Sequence, residues 1–194
     1  MLFLLTGDVQ IGKTRWLEDL CASLQAAGTC VAGVVAPGQW VPRPEGQPGG
    51  KHGFDGAGRF EKLGIDNVLL PQGERIEFAR RRDLAAGGKA FAEGAQAKAA
   101  KLGWAISDTA IAQVNAHFAT LAKQAANETR LAPHAMLVVD ELGRLELLRG
   151  CGLTNALAIL DAGPTPQFPH AIAVVRETLL DEARRRFEPR WGKA

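Results

Sequence analysis

Met1-Leu-Phe-Leu-Leu-Thr6 runs without a break into Gly7-Asp8-Val9-Gln10-Ile11-Gly12-Lys13-Thr14. An apolar run that stops on a glycine predicts a strand buried on both faces of a parallel sheet. Positions 7–14 fit G-x-x-x-x-G-K-[ST] in full. In that pattern the glycines let the backbone curl until successive N–H groups point at phosphate oxygens, and the helix starting at the lysine adds the positive end of its dipole. Lys13 is expected to reach the β- and γ-phosphates as a point charge, and the Thr14 hydroxyl to ligate Mg²⁺. Gly7, Asp8, Val9, Gln10, Ile11, Gly12, Lys13 and Thr14, with Arg15 beside them, form the expected nucleotide-binding segment.

On the C-terminal side of the loop, residues 13–27 predict a helix with Trp16, Leu17, Leu20, Cys21 and Leu24 on its apolar face. Gly28 stands where a C-terminal cap belongs. Residues 30–36 read as a second buried strand, so the chain opens with a βαβ unit. From 37 to 58 proline and glycine are dense enough to predict an exposed loop, with Trp40 either stacking on a base or partly packed. Residues 67–70 and 75–79 flank Pro71-Gln-Gly-Glu74 and predict a hairpin beside the main sheet. A helix over 91–102, a strand at 104–106 and a long helix from Ser107 or Asp108 to 129 follow. The long helix carries Ile111, Val114, Phe118, Leu121 and Ala125 on its apolar face. Beyond it come a strand at 135–139, a short helix within 142–150 and a helix at 153–160. A strand at 171–175, a helix at 178–187 and a frayed tail over 188–194 end the chain.

Met136-Leu-Val-Val-Asp140-Glu141 is the second informative segment. An apolar strand that ends in acids sets those carboxylates at the sheet edge where ligands of open α/β sheets bind. Asp140 is expected to hold Mg²⁺ together with Thr14, and Glu141 to polarise an attacking water as general base. Hydrolysis needs further positive charge at the γ-phosphate. Arg144, just after the acids, and Arg176, at the end of strand 171–175, are the candidates. Surface ion pairing is the competing reading for each.

Composition narrows the field. The 194 residues suit one domain, 46% are hydrophobic, and a net charge of +2 gives no general footprint for nucleic acid. The short clusters at 80–82 and 184–186 are flanked by acids and read as solvated surface. Three isolated cysteines and four scattered histidines suggest neither a disulfide framework nor a zinc site. The apolar start is too short for a signal peptide or a membrane span, which points to the cytoplasm.

The loop at 7–14, the run G-F-D … P-x-G-E-R … A-R-R, and above all V-V-D-E-L-G-R-L-E-L together resemble a family. It is the small nucleoside-triphosphatase family described from thermophiles and related to the human cancer-related NTPase. Its signature D-E-I-G-x-M/L-E is met by Asp140, Glu141, Leu142, Gly143, Leu145 and Glu146. The resemblance implies an α/β fold, a three-layer P-loop NTPase of RecA- or AAA-like type. Its sheet would be mainly parallel with an added antiparallel hairpin. The resemblance runs from Met1 to about Arg176 and also implies slow, broad hydrolysis of ATP or GTP; the length predicts a single domain over 1–194, with an irregular insertion around 37–82. Two readings stay beside it. One is a small nucleoside or nucleotide kinase, with the arginines at 80–82 as a lid. The other is a nucleotide-gated switch that docks a protein partner through the 37–58 loop.

Overall fold

The computed structural model describes residues 1–43, 59–85, 91, 93–99, 103–127 and 134–194. Its strands are β1 (Leu2–Leu5), β2 (Val31–Val35), β3 (Gly38–Pro42), β4 (Phe60–Leu70), β5 (Glu74–Arg81), β6 (Trp104–Ile106), β7 (Met136–Leu142) and β8 (His170–Val175). The helices are α1 (Lys13–Ala26), α2 (Arg82–Ala85), α3 (Ala95–Ala99), α4 (Asp108–Asn127), α5 (Arg144–Arg149), α6 (Thr154–Ala162) and α7 (Leu180–Trp191). All eight strands join one sheet in the order β1-β8-β7-β2-β4-β5-β6, with β3 paired to β4.

The sheet has two regimes. β1, β8, β7 and β2 pair in parallel, and every residue of β2 is buried, as expected where helices cover both faces. From β2 onward the pairing is antiparallel through β4, β5 and β6. α1 packs Leu17 and Cys21 on one face against Val31, Val35, Val138 and Ile172. On the other face Val114, Phe118 and Leu121 of α4, Leu157 and Leu160 of α6 and Phe187 of α7 cover Ala32, Val34, Leu137 and Val139. The result is a three-layer α/β architecture.

Several local readings hold. α1 ends in a Schellman arrangement: Gly28 has φ 82° and donates to Gln25 O, while Thr29 N–H donates to Leu24 O. Ser107 Oγ accepts from Ala110 N–H at 3.2 Å and caps α4. Other readings need correction. Trp16 is 51% exposed: one residue before Leu17 it is rotated about 100° off the stripe that faces the sheet. The hairpin is no side excursion, because β4 bonds to β2 directly and continues the main sheet. Residues 38–42, read as loop, are a strand paired to β4; the rest of that loop, at 44–58, lies outside the described residues. Among the described residues of the predicted helix 91–102, only Ala95–Ala99 is helical, and the rest of that span is partly outside them. The tail does not fray before Trp191. That indole is buried and donates from Nε1 to Leu160 O at 2.6 Å, so α7 continues through Pro189. Among the described residues no helix is long and apolar enough to cross a membrane.

Candidate functional site

The loop between β1 and α1 has an uncommon backbone. Gly7, Gln10 and Gly12 all have positive φ, at 137°, 67° and 97°. At φ 137° Gly7 has a backbone conformation that side chains rarely adopt, so glycine suits the start of the loop. Left-handed residues interspersed in a turn make an anion-binding concavity of N–H groups. Gly12 gives α1 no side-chain cap, which leaves the first N–H groups of the helix available to a ligand. Lys13 Nζ is bent back over the loop, donating to Gly7 O at 2.9 Å and Asp8 O at 2.5 Å. Phosphate oxygens can take the place of those two carbonyls.

β8 lies between β1 and β7, so the loop and the acids face each other across one strand. β7 does not stop before the acids, as its apolar run suggests; it runs on to Leu142 through an irregularity between Val139 and Leu142. Glu141 occupies the left-handed region there, with φ 70°. A non-glycine residue held in that region costs about 1–3 kcal/mol, and such strain persists where the surroundings impose it. Consecutive strand residues ordinarily point to opposite faces. The bulge overrides this, and both Asp140 and Glu141 line the same cleft. Glu141 Oε1 lies 3.5 Å from the guanidinium of Arg176, both half-exposed.

The cleft measures about 800 Å³, within the range of small-molecule sites. It is lined by every residue from Gly7 to Arg15, and by Asp140, Glu141 and Arg176. Arg144 is not among its lining residues: it is the first residue of α5, exposed to solvent. The arginines at 80–82 are absent from the lining too. Arg80 pairs with Glu77, Arg81 with Glu61 and Asp83, and Arg82 with Glu93, and Arg80 and Arg81 are part-buried where the sequence suggests solvated surface. Sequence reasoning missed Arg59, just before β4, Phe60 and Lys62 of β4 and Trp104 of β6, which form one wall of the cleft together with Trp40 of β3. No local pattern marks them, because they reach the cleft only through the pairing of β3, β4 and β5.

The chain superposes on the crystal structure of THEP1 from the hyperthermophile Aquifex aeolicus with a TM-score of 0.56, over 96% of this chain and 85% of that one, at 13% sequence identity. The two chains share a three-layer α/β fold built on one mixed sheet. No protein-family model and no curated protein matches the chain.

The donor set for a hard cation can be tested on Asp140. Its Oδ2 accepts the Ala36 N–H at 2.9 Å, while its buried Oδ1 has no hydrogen-bond partner among the described residues. Burial pushes the carboxyl up to about 6, against the opposing pull of the Ala36 N–H and the Thr14 hydroxyl. An orphaned carboxylate oxygen beside a hydroxyl fits a hard divalent ion that brings phosphate and water oxygens with it. No cluster of three or more His, Cys, Asp or Glu exists among the described residues to cage an ion outright.

That burial has a consequence for stability. The folded-state pKa of Asp140 lies above the ordinary 3.8, so the fold favours the protonated form. Its contribution is therefore gained as pH falls through about 6 and lost above it. Asp140→Asn is expected to stabilise the nucleotide-free protein at pH 7 by about 1–3 kcal/mol. Urea midpoints at pH 4 to 8 check this: the gain of the variant over wild type should shrink as the pH drops. A variant less stable than wild type at pH 7 would contradict it.

Proposed function

We propose that the chain is a Mg²⁺-dependent nucleoside-triphosphatase that hydrolyses the β–γ bond of ATP or GTP with broad base preference. The observation that carries this reading is the left-handed bulge at Glu141, which brings two consecutive acids of one strand into the cleft of the glycine loop. A carboxylate there is suited to orienting a water in line with the γ-phosphate and taking its proton. Thr14 and Asp140 would hold Mg²⁺, whose contribution is to neutralise charge across the β- and γ-phosphates. Lys13 exchanges its loop carbonyls for phosphate oxygens. Arg176, held by Glu141 in the nucleotide-free state, moves to the γ-phosphate and leaves the carboxylate free for water. Arg144, exposed on α5, has no part in this scheme.

The test is phosphate release from Mg²⁺-ATP, GTP, CTP and UTP. Wild type is expected to release phosphate from several of them. Lys13→Ala is expected to weaken nucleotide binding by about ten- to a hundredfold, the worth of charge-assisted hydrogen bonds. Binding without release by wild type, or release indifferent to Lys13→Ala, would reject the reading.

A further inference from the structure

The wall of the cleft facing the glycine loop carries a second lysine. Lys62 stands directly opposite Trp40 in the β3–β4 ladder. Its Nζ is 5.9 Å from the Trp40 ring centre and 5.7 Å from that of Trp104 on β6. Indole faces at that range attract an ammonium and confine its stem. Gly38 makes the room: a Cβ there would lie 2.6 Å from Lys62 Cε and 2.5 Å from Trp40 Nε1.

Beyond these two rings Lys62 has no hydrogen bond or ion pair with another described residue, although it lines the cleft. The charges that act on it are the attracting carboxylates of Glu141 and Asp140 and the repelling guanidinium of Arg176. In strand order the acids of β7 lie between the two lysines, with Lys13 following β1 on one side and Lys62 on β4 on the other. Phosphates cradled at the start of α1 are within the domain of Lys13. On that strand order Lys62 lies past the acids from the glycine loop, and in the reading above the phosphate that would extend that way is the terminal one. A desolvated ammonium with no anionic partner of its own is a site for an anion.

We propose that Lys62 recognises the terminal phosphate of the bound nucleotide, so that the site tells a triphosphate from a diphosphate, and that Trp40 and Trp104 hold its ammonium when that phosphate is absent. This rests on the nucleoside-triphosphatase reading above.

The experiment measures binding, not turnover. The Mg²⁺ complexes of the β,γ-imido analogue of ATP and of ADP are titrated calorimetrically into wild type, Lys62→Met and Lys62→Arg. Wild type is expected to prefer the triphosphate analogue. In Lys62→Met the affinity for ADP should stay within about threefold, while that for the analogue falls about ten- to a hundredfold. Lys62→Arg should keep most of the preference, because it keeps the charge. Tryptophan emission gives an independent readout. Departure of the ammonium from Trp40 and Trp104 should change emission with the analogue and not with ADP, and the change should vanish in Lys62→Met. Trp16, two residues past Thr14, is expected to respond to both nucleotides alike and so to drop out of the difference. An unchanged triphosphate-to-diphosphate ratio in Lys62→Met, or an equal loss of both ligands, would overturn the role of Lys62 and leave the nucleotide site standing. Failure of wild type to bind either nucleotide would sink the underlying reading itself.

Discussion

Glu141→Gln is expected to lower phosphate release by about 10²- to 10⁴-fold, the range over which a positioned general base acts, with nucleotide affinity almost unchanged. The substitution is chosen for what it leaves alone. Glutamine has the shape of glutamate, so the left-handed backbone at φ 70° and the bulge around it meet no new steric demand. The ion pair with Arg176 is lost, but at 3.5 Å between two half-exposed groups such a pair contributes about 1 kcal/mol at most. What disappears is a carboxylate able to accept the proton of an attacking water. Single-turnover phosphate release with saturating Mg²⁺-ATP, alongside equilibrium binding of the same nucleotide, separates chemistry from affinity. A variant that releases phosphate at the wild-type rate would remove Glu141 from the reaction. A variant that fails to bind would instead assign it a structural part. Asp140→Asn makes the useful contrast, since it is expected to stabilise the nucleotide-free protein while removing a carboxylate proposed to hold Mg²⁺.

The parts of the site legible in the sequence are those whose chemistry is packed into consecutive residues. The glycine loop is one, because backbone curl, helix start and lysine must follow one another along the chain. Asp140-Glu141 is another, because an apolar strand must deliver the acids. Leu142, which the sequence places in the stretch of loop and short helix at 142–150, is the last residue of β7, because the bulge lets pairing resume with Val175 beyond the acids. Glu146, which entered only as a letter of a signature, has a structural task. Buried, it accepts Gly143 N–H at 2.9 Å and Leu153 N–H at 3.0 Å, closing both ends of the segment that contains α5. The burial of Trp191 and the exposure of Trp16 are set by which neighbours a helix meets, which one stretch of sequence does not contain. The β4 wall was illegible for a related reason. Glu61, Lys62 and Gly64 break the apolar run that would mark a strand; their pairing with β3 and β5 is long-range and defines them as one.

Gly33→Ala is expected to cost more than about 4 kcal/mol, a size reserved for a few mechanisms such as backbone collision, and a large share of a total stability of about 5–15 kcal/mol. Gly33 is the middle residue of β2 and has φ 126°, a backbone conformation that side chains rarely adopt. A Cβ there would lie 1.9 Å from Val138 O and 2.8 Å from Val138 C, backbone atoms of the neighbouring strand. Neither strand has room to retreat. β2 is paired to β7 through Gly33 and Val138 and to β4 through Gly33 and Leu70. Gly33 O is also fixed from the helix side, accepting the Nε2–H of buried His117 at 3.1 Å. Burial lowers the pKa of that imidazole, which favours its neutral form. Gly28→Ala supplies the control: its φ of 82° is also positive, but nothing lies within 4 Å of its Cβ position, so the cost there is about 1 kcal/mol of cap strain. Urea denaturation of both variants gives the comparison. If Gly33→Ala melts near wild type, β2 does not approach β7 as closely as described. The site would then lose its geometry as well, because the same strand carries Ala36, one residue past its end, whose N–H orients Asp140.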